Sequence, residues 1–228
     1  MHRSSAPIAP SLSEADLRDA LCTGYQRLSQ LGLNSGSAGN ISCRFEGGVL
    51  ISPTGADSDT TPTAMVAITL DGDTRSAGIP SSEWSMHTEI YRRYPQAQAI
   101  VHTHSDACVA LSCQRQAIPA FHYMLASFGG DDIPCADYAT FGTNALASAA
   151  ADALKARNAC LLANHGMICH AATVQKAVAN AAKLETLARQ YWMSVQLGPP
   201  VLLSTQEMTL VRERYKSYGK ARMDTRSV

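Results

Sequence analysis

Apolar positions first fall into a helical rhythm at Leu17, Leu21, Leu28 and Leu31, until Gly32 interrupts it. Ser13, followed three residues later by Asp16, resembles a capping box, so the pattern predicts an amphipathic helix opening there. The period then shortens. Runs at 41–45, 49–52 and 65–70 have β character; the turn Glu46-Gly47-Gly48 separates the first two and Asp71-Gly72-Asp73 follows the third, which predicts an antiparallel meander. From Ser81-Ser82-Glu83 to Arg93, the side chains Trp84, Met86, His87, Ile90 and Tyr91 supply the buried face of a second helix, which Pro95 ends. A strand is expected over 99–104 and a helix near 106–113, followed by a segment punctuated by Pro119, Gly129, Gly130 and Pro134. An Ala-rich helix over 144–156, a strand over 159–164, a long helix from about 173 to 196 and a short helix after Ser204 complete the reading. Helices alternate with strands, yet the early hairpins demand antiparallel pairing. The expected fold class is therefore α/β, with mixed or mainly antiparallel strands in place of a doubly wound parallel sheet.

The chain has 228 residues, 46% of them hydrophobic, with no internal repeat and no long linker, which suits one compact domain. The Ser/Ala/Pro-rich residues 1–11 read as a loose tail, 12–219 as the domain and 220–228 as a C-terminal tail. Lys+Arg and Asp+Glu balance at 19 each, so nothing draws the chain generally to nucleic acid or to an anionic membrane. Any anionic ligand must be held locally. No apolar run approaches the length of a membrane span or of a signal-peptide core. The seven cysteines form no CxxC pair and several sit in apolar runs, which points to reduced core thiols and a cytoplasmic protein.

Chemistry concentrates at His102-Thr103-His104, which closes the apolar run Ala99-Ile100-Val101. Alternate residues of a strand point to one side about 6.5 Å apart, close enough to grip one ion. His165 follows a second apolar run, 159–162, and neutral imidazole is the favoured nitrogen ligand of Zn²⁺. Alone, the His pair reads equally as two hydrogen-bonded side chains. Three small-residue clusters, Gly36-Ser37-Ala38-Gly39-Asn40, Ser52-Pro53-Thr54-Gly55 and Ser81-Ser82, offer free N–H groups and hydroxyls. Each taken singly is an ordinary turn; together they suit a phosphate cradle. Glu83, in the first turn of its helix, is either a cap complementing the helix dipole or, if it faces the ion, a fourth ligand or base. His87, one turn further on, reads as a satisfied core histidine and Tyr123 as a proton donor or a packed aromatic. If these parts converge, an ion on three imidazoles polarises a carbonyl, Glu83 moves the proton beside it and Tyr123 serves the departing oxygen. Such a set suits enolate chemistry on a phosphorylated ketose.

The same motifs, in this order and spacing, together with Ser81-Ser82-Glu83-Trp84, Asn164-His165-Gly166 and the flanks 118–123 and 138–143, resemble the class II aldolase/adducin head domain family over about residues 17–219. Within it the likeness is to the fuculose-phosphate aldolase branch. The resemblance implies a single α/β/α sandwich around a mainly antiparallel central sheet, assembled as a homotetramer with active sites between subunits. It implies Zn²⁺, or another divalent metal, on Glu83, His102, His104 and His165, with Glu83 also acting as acid and base. Gly39, Asn40, Thr54, Gly55, Ser81 and Ser82 would hold the substrate phosphate, Tyr123 would serve a neighbouring subunit's site, and Tyr218 would close over it. The implied reaction is reversible cleavage of a ketose 1-phosphate to dihydroxyacetone phosphate and an aldehyde, of the L-fuculose 1-phosphate and L-lactaldehyde type. Sugar-phosphate 4-epimerases, dehydratases and decarboxylases of the family share the metal-stabilised chemistry, although the epimerases tend to carry Asp at the Glu83 position. The non-catalytic adducin head lacks the histidines, and all three are present here.

Overall fold

The computed structural model describes residues 12–217, so Tyr218 and the two expected tails lie outside the described residues. Helix α1, Glu14–Gln30, opens on the expected capping box: the Asp16 N–H donates to Ser13 Oγ at 3.2 Å and the Ser13 N–H to Asp16 Oδ2 at 3.1 Å. Strands β1 (Asn40–Phe45), β2 (Gly48–Ile51) and β3 (Val66–Thr69) form the antiparallel meander. Helix α2 (Trp84–Arg93) leads to β4 (Ala99–Thr103) and α3 (Asp106–Ser112). A 3-10 turn over Tyr123–Phe128, the short strand β5 (Cys135–Ala136) and helix α4 (Asn144–Ala153) follow. Strands β6 (Ala159–Leu162) and β7 (Gly166–Ala171) precede helices α5 (Val174–Gln196) and α6 (Thr205–Ser217).

The strands make one seven-stranded sheet in the order β3-β2-β1-β4-β7-β6-β5, antiparallel except where β5 meets β6. Alternation along the strands sends side chains to two cores. Val101, Leu161 and Met167 pack with Leu21, Tyr25 and Leu184 of α1 and α5, whereas Ile100, Leu162 and Ile168 pack with Met86, Ile90 and Leu146 of α2 and α4. Each fully buried Leu, Ile or Met contributes about 2 kcal/mol through apolar burial, so helices on both faces hold the sheet. The result is the expected α/β/α sandwich.

Three local expectations change. The sequence pattern predicts one strand over 159–164 followed by a helix, whereas the structure has two strands, β6 and β7. In the structure Ala163, Asn164 and His165 form a turn, with Asn164 at φ 54°, and the chain returns as β7 between β6 and β4. Helix α4 ends at Ala153 instead of 156. Glu83 is the residue before helix α2, at φ −101° and ψ 16°, and its side chain accepts no cap bond, so it lies outside the first turn. Five of the seven cysteines are buried thiols, Cys135 is half-buried and Cys113 exposed. Among the described residues no helix is long and apolar enough to cross a membrane.

Candidate active site

The site forms at one end of β4, the middle strand of the sheet. His102 is buried near the end of β4, opposite Asn40 on β1 and Ile168 on β7. His104 lies just past the strand, and His165 occupies the β6–β7 turn. The three rings meet edge to face, with centroids 4.7 to 4.8 Å apart and interplanar angles of 70 to 74°. His102 Nδ1 lies 2.8 Å from the Met167 carbonyl oxygen, which can only accept. The ring proton therefore sits on Nδ1, and Nε2 turns its lone pair toward His104 Nε2, 2.9 Å away.

Glu83 closes this group. Its Oε2 accepts from Asn40 Nδ2 at 3.0 Å and lies 3.1 Å from His102 Nε2. Its Oε1 is 3.3 Å from His165 Nε2 and, although buried, has no hydrogen bond. Burial pushes the Glu83 carboxyl up, but attraction to His102 and His165 in their protonated forms, together with the hydrogen bond from the Asn40 amide, outweighs it and holds the carboxyl well below the usual carboxylate range. Burial, reinforced by the His102 imidazole, pulls His104 and His165 down to about 4, so both are neutral near pH 7. One ligand atom from each of these four residues falls within 4.8 Å of the others. Converging lone pairs, an unbonded buried carboxylate oxygen and a donor set of three imidazoles with one carboxylate fit a divalent metal.

A cleft of about 370 Å³ opens beside this cluster. Gly39, Asn40, Thr54, Gly55, Ser81 and Ser82 all line it, together with Glu83, His104 and His165. Backbone bonds align its walls: the Ser81 N–H donates to the Ser52 carbonyl at 3.1 Å and the Thr54 N–H to the Ile79 carbonyl at 2.9 Å, while Ser52 Oγ accepts from the Ile41 N–H at 3.1 Å. The two loops are thereby tied to each other and to β1. Gly39 is required where it stands, at φ +81°, because a Cβ there would lie 2.4 Å from Asn34 Oδ1 and 2.8 Å from the His102 carbonyl oxygen.

Tyr123 does not reach this cleft. It begins the 3-10 turn, is 51% exposed and stacks on His122 with centroids 4.8 Å apart. Conversely, Tyr138, Ala139, Phe141 and Asn164 line the cleft without having been singled out as site residues. Arg115 fastens this rim, its Nε donating to Asn164 Oδ1 at 2.7 Å and its guanidinium lying 5.5 Å from the Tyr138 ring centre. The available signal was two large aromatics in the turn-rich stretch Tyr138-Ala139-Thr140-Phe141-Gly142-Thr143, where neither belongs to an amphipathic pattern.

The chain is similar to known proteins over most of its length. The Class II Aldolase and Adducin N-terminal domain matches residues 19–192. The 5-methylthioribulose-1-phosphate/5-deoxyribulose-1-phosphate aldolase of Rhodospirillum rubrum is 43% identical over 208 residues, 91% of this chain and 94% of that protein. An L-fuculose phosphate aldolase of Escherichia coli is 44% identical over 194 residues, 84% of this chain and 90% of that protein. A solved L-fuculose 1-phosphate aldolase superposes with a TM-score of 0.85 at 34% identity, covering 88% of this chain and 96% of that one. The chain belongs to the class II aldolase and adducin N-terminal domain family.

Proposed function

We propose that this protein is a zinc-dependent aldolase that reversibly cleaves a ketose 1-phosphate to dihydroxyacetone phosphate and an aldehyde. The observation that carries the reading is the shared cleft: residues with hydroxyls and N–H groups suited to a phosphate line it together with Glu83 and two of the three imidazoles. When bound to Glu83, His102, His104 and His165, the metal supplies a Lewis acid that polarises the ketose carbonyl and the hydroxyl beside it. Gly39, Asn40, Thr54, Gly55, Ser81 and Ser82 hold the phosphate and set the distance from it to the reacting carbons. In the cleavage direction, a proton leaves the hydroxyl of the carbon that becomes the aldehyde. The carbon–carbon bond then breaks, its electrons remaining in the dihydroxyacetone phosphate half, and Glu83, which starts ionised and first takes up a proton equivalent to the one the hydroxyl gives up, passes it to that carbon. The unbonded Oε1 of Glu83 is the atom suited to carry it.

The proton at the aldehyde oxygen needs a second group. Tyr123 stands half-exposed outside its own chain's cleft, which suits a phenol that serves the site of a neighbouring copy in a homotetramer. The relatives above are named for ketose 1-phosphates that differ in the aldehyde half. Tyr138 and Phe141 give this side of the cleft an apolar wall suited to a deoxy aldehyde of the L-lactaldehyde kind. Free, mostly buried thiols suit a reducing cytoplasm. The test is a panel of L-fuculose 1-phosphate, 5-deoxyribulose 1-phosphate and 5-methylthioribulose 1-phosphate given to the zinc-loaded protein, with dihydroxyacetone phosphate followed by a coupled dehydrogenase. Release from at least one sugar is expected. No release from any would overturn the aldolase reading in favour of another enolate reaction.

A further inference from the structure

Behind Glu83 runs a line of polar groups that neither the metal ligands nor the phosphate contacts explain. Tyr91 Oη lies 2.9 Å from Ser42 Oγ, and Ser42 Oγ lies 2.7 Å from His87 Nδ1. His87 Nε2 lies 2.5 Å from Asn40 Oδ1, and Asn40 Nδ2 donates to Glu83 Oε2 at 3.0 Å. Ser42 and His87 are fully buried, Tyr91 is 1% exposed and Asn40 4%, so each depends on its neighbours for its bonds. Asn40 and Ser42 alternate on one side of β1, while His87 and Tyr91 sit one turn apart on α2, so the line zips strand to helix.

The donors can be ordered from the Glu83 end. An ionised carboxylate only accepts, so the Asn40 NH₂ must face Glu83 and its carbonyl oxygen must face His87. That oxygen also only accepts, so His87 carries its proton on Nε2 and presents a lone pair at Nδ1. Ser42 donates to Nδ1, which leaves its oxygen to accept from the Tyr91 hydroxyl. The opposite turn of the Asn40 amide would set two acceptors 3.0 Å apart in the interior. Burial, aided by His102, pulls His87 down to about 3, which keeps it neutral and able to play this mixed donor and acceptor part.

We infer that His87 and Ser42 are positioning residues that lock the Asn40 amide in one orientation, so that Glu83 is anchored through Oε2 and keeps Oε1 as its working oxygen. The inference rests on the metal-aldolase reading of the cleft. One amide would then register the phosphate loop, to which Asn40 belongs, against the acid and base.

Two measurements need no substrate. In histidine-labelled protein, long-range ¹H–¹⁵N spectra should place the His87 proton on Nε2; a proton on Nδ1 would overturn the ordering. Calorimetric titration of metal-free protein with Zn²⁺ should show Ser42→Ala and His87→Leu binding about 10- to 100-fold more weakly, the usual effect of losing a partner behind a metal ligand. In turnover, kcat should fall by a similar factor while KM moves less. His87→Gln, which keeps an N–H donor for Asn40, should recover most of both. If His87→Leu does not fold, Ser42→Ala and Tyr91→Phe at the far end of the line carry the test. Folded variants with wild-type Zn²⁺ affinity and kcat, or a His87→Gln no better than His87→Leu, would reduce the line to packing. Because the tautomer and the affinity are read without sugar phosphate, they are judged separately from the panel that tests the aldolase reading.

Discussion

Gly39 shows how little freedom the residues of this site have. Its φ of +81° is disfavoured for any residue with a side chain, and the space a Cβ would enter is taken by the Asn34 amide and the carbonyl of His102 itself. Gly39→Ala therefore has to move either the loop that faces the phosphate or the strand that carries the first histidine. The expected outcome is a loss of about 1 to 3 kcal/mol in unfolding free energy, the range for a strained backbone position. An increase in KM should exceed any change in the aldehyde partition, because in the proposed reaction this loop holds the phosphate half of the substrate. Denaturant melts and initial-rate kinetics check both; an unaltered KM would remove Gly39 from the phosphate cradle.

Elements matter because the candidate metal group is shared among a strand end, a turn and the residue before a helix, and each must be held. Helix α3 starts two residues after His104, and its N-cap Ser105 makes no side-chain cap bond. Glu185, buried on α5, supplies one from outside: its carboxylate oxygens accept from the N–H groups of Ala107 at 2.9 Å and Cys108 at 3.0 Å. Glu185→Ala strands two buried donors at a helix start, which should cost about 3 kcal/mol of stability. Loosened α3 should also weaken Zn²⁺ binding through His104. Glu185→Gln keeps one acceptor and should lose less; equal denaturation midpoints for all three proteins would show that α3 does not need this cap. Such pairings between distant elements were not legible in the sequence, whereas local ones were. The Ser13–Asp16 box announces α1 because both partners lie within one turn. Strand β7 was hidden because its boundary is a turn that relies on Asn164 at φ 54° and on Gly166, where a Cβ would fall 2.4 Å from the Thr103 carbonyl oxygen. The two-residue β5 has no periodicity to read. In the site, the histidines stood out because metal chemistry prescribes their type and spacing, whereas Glu83 alone reads as a cap and gains its role only through the family resemblance. Ser42 did not stand out, because its place beside His87 arises only from the packing of β1 against α2.

At the scale of the molecule, the histidine cluster lies at the end of the central strand, with a sheet neighbour on each side and α2 above it. Four histidines shift in the same direction: His87 is fully buried beside the cluster, His104 and His165 belong to it, and His170 lies further along β7 opposite Ile100. Burial pulls His87 down to about 3 and His104 and His165 to about 4, and lowers His170 as well, against an ordinary value of 6.5. The unfolded chain therefore binds protons below pH 6.5 that the folded chain refuses. Stability is present in full above that value and is lost as pH falls toward 4, with a slope approaching about 1.4 kcal/mol per pH unit for the fully buried His87 and a smaller one for the more exposed His104, whose shift solvent screens. The metal-free protein should then lose at least about 2 kcal/mol between pH 7 and pH 5, read as a falling denaturant midpoint at constant slope. Bound metal adds stability that grows with its free concentration, so saturating Zn²⁺ should raise the midpoint at pH 7 and yield that gain as protons compete for the same nitrogens. If the midpoint stayed level from pH 7 to pH 5 without metal, the imidazoles would be taking protons inside the folded protein. The cluster would then be an open, hydrated group, too loosely held to fix an ion between Glu83 and the phosphate loops.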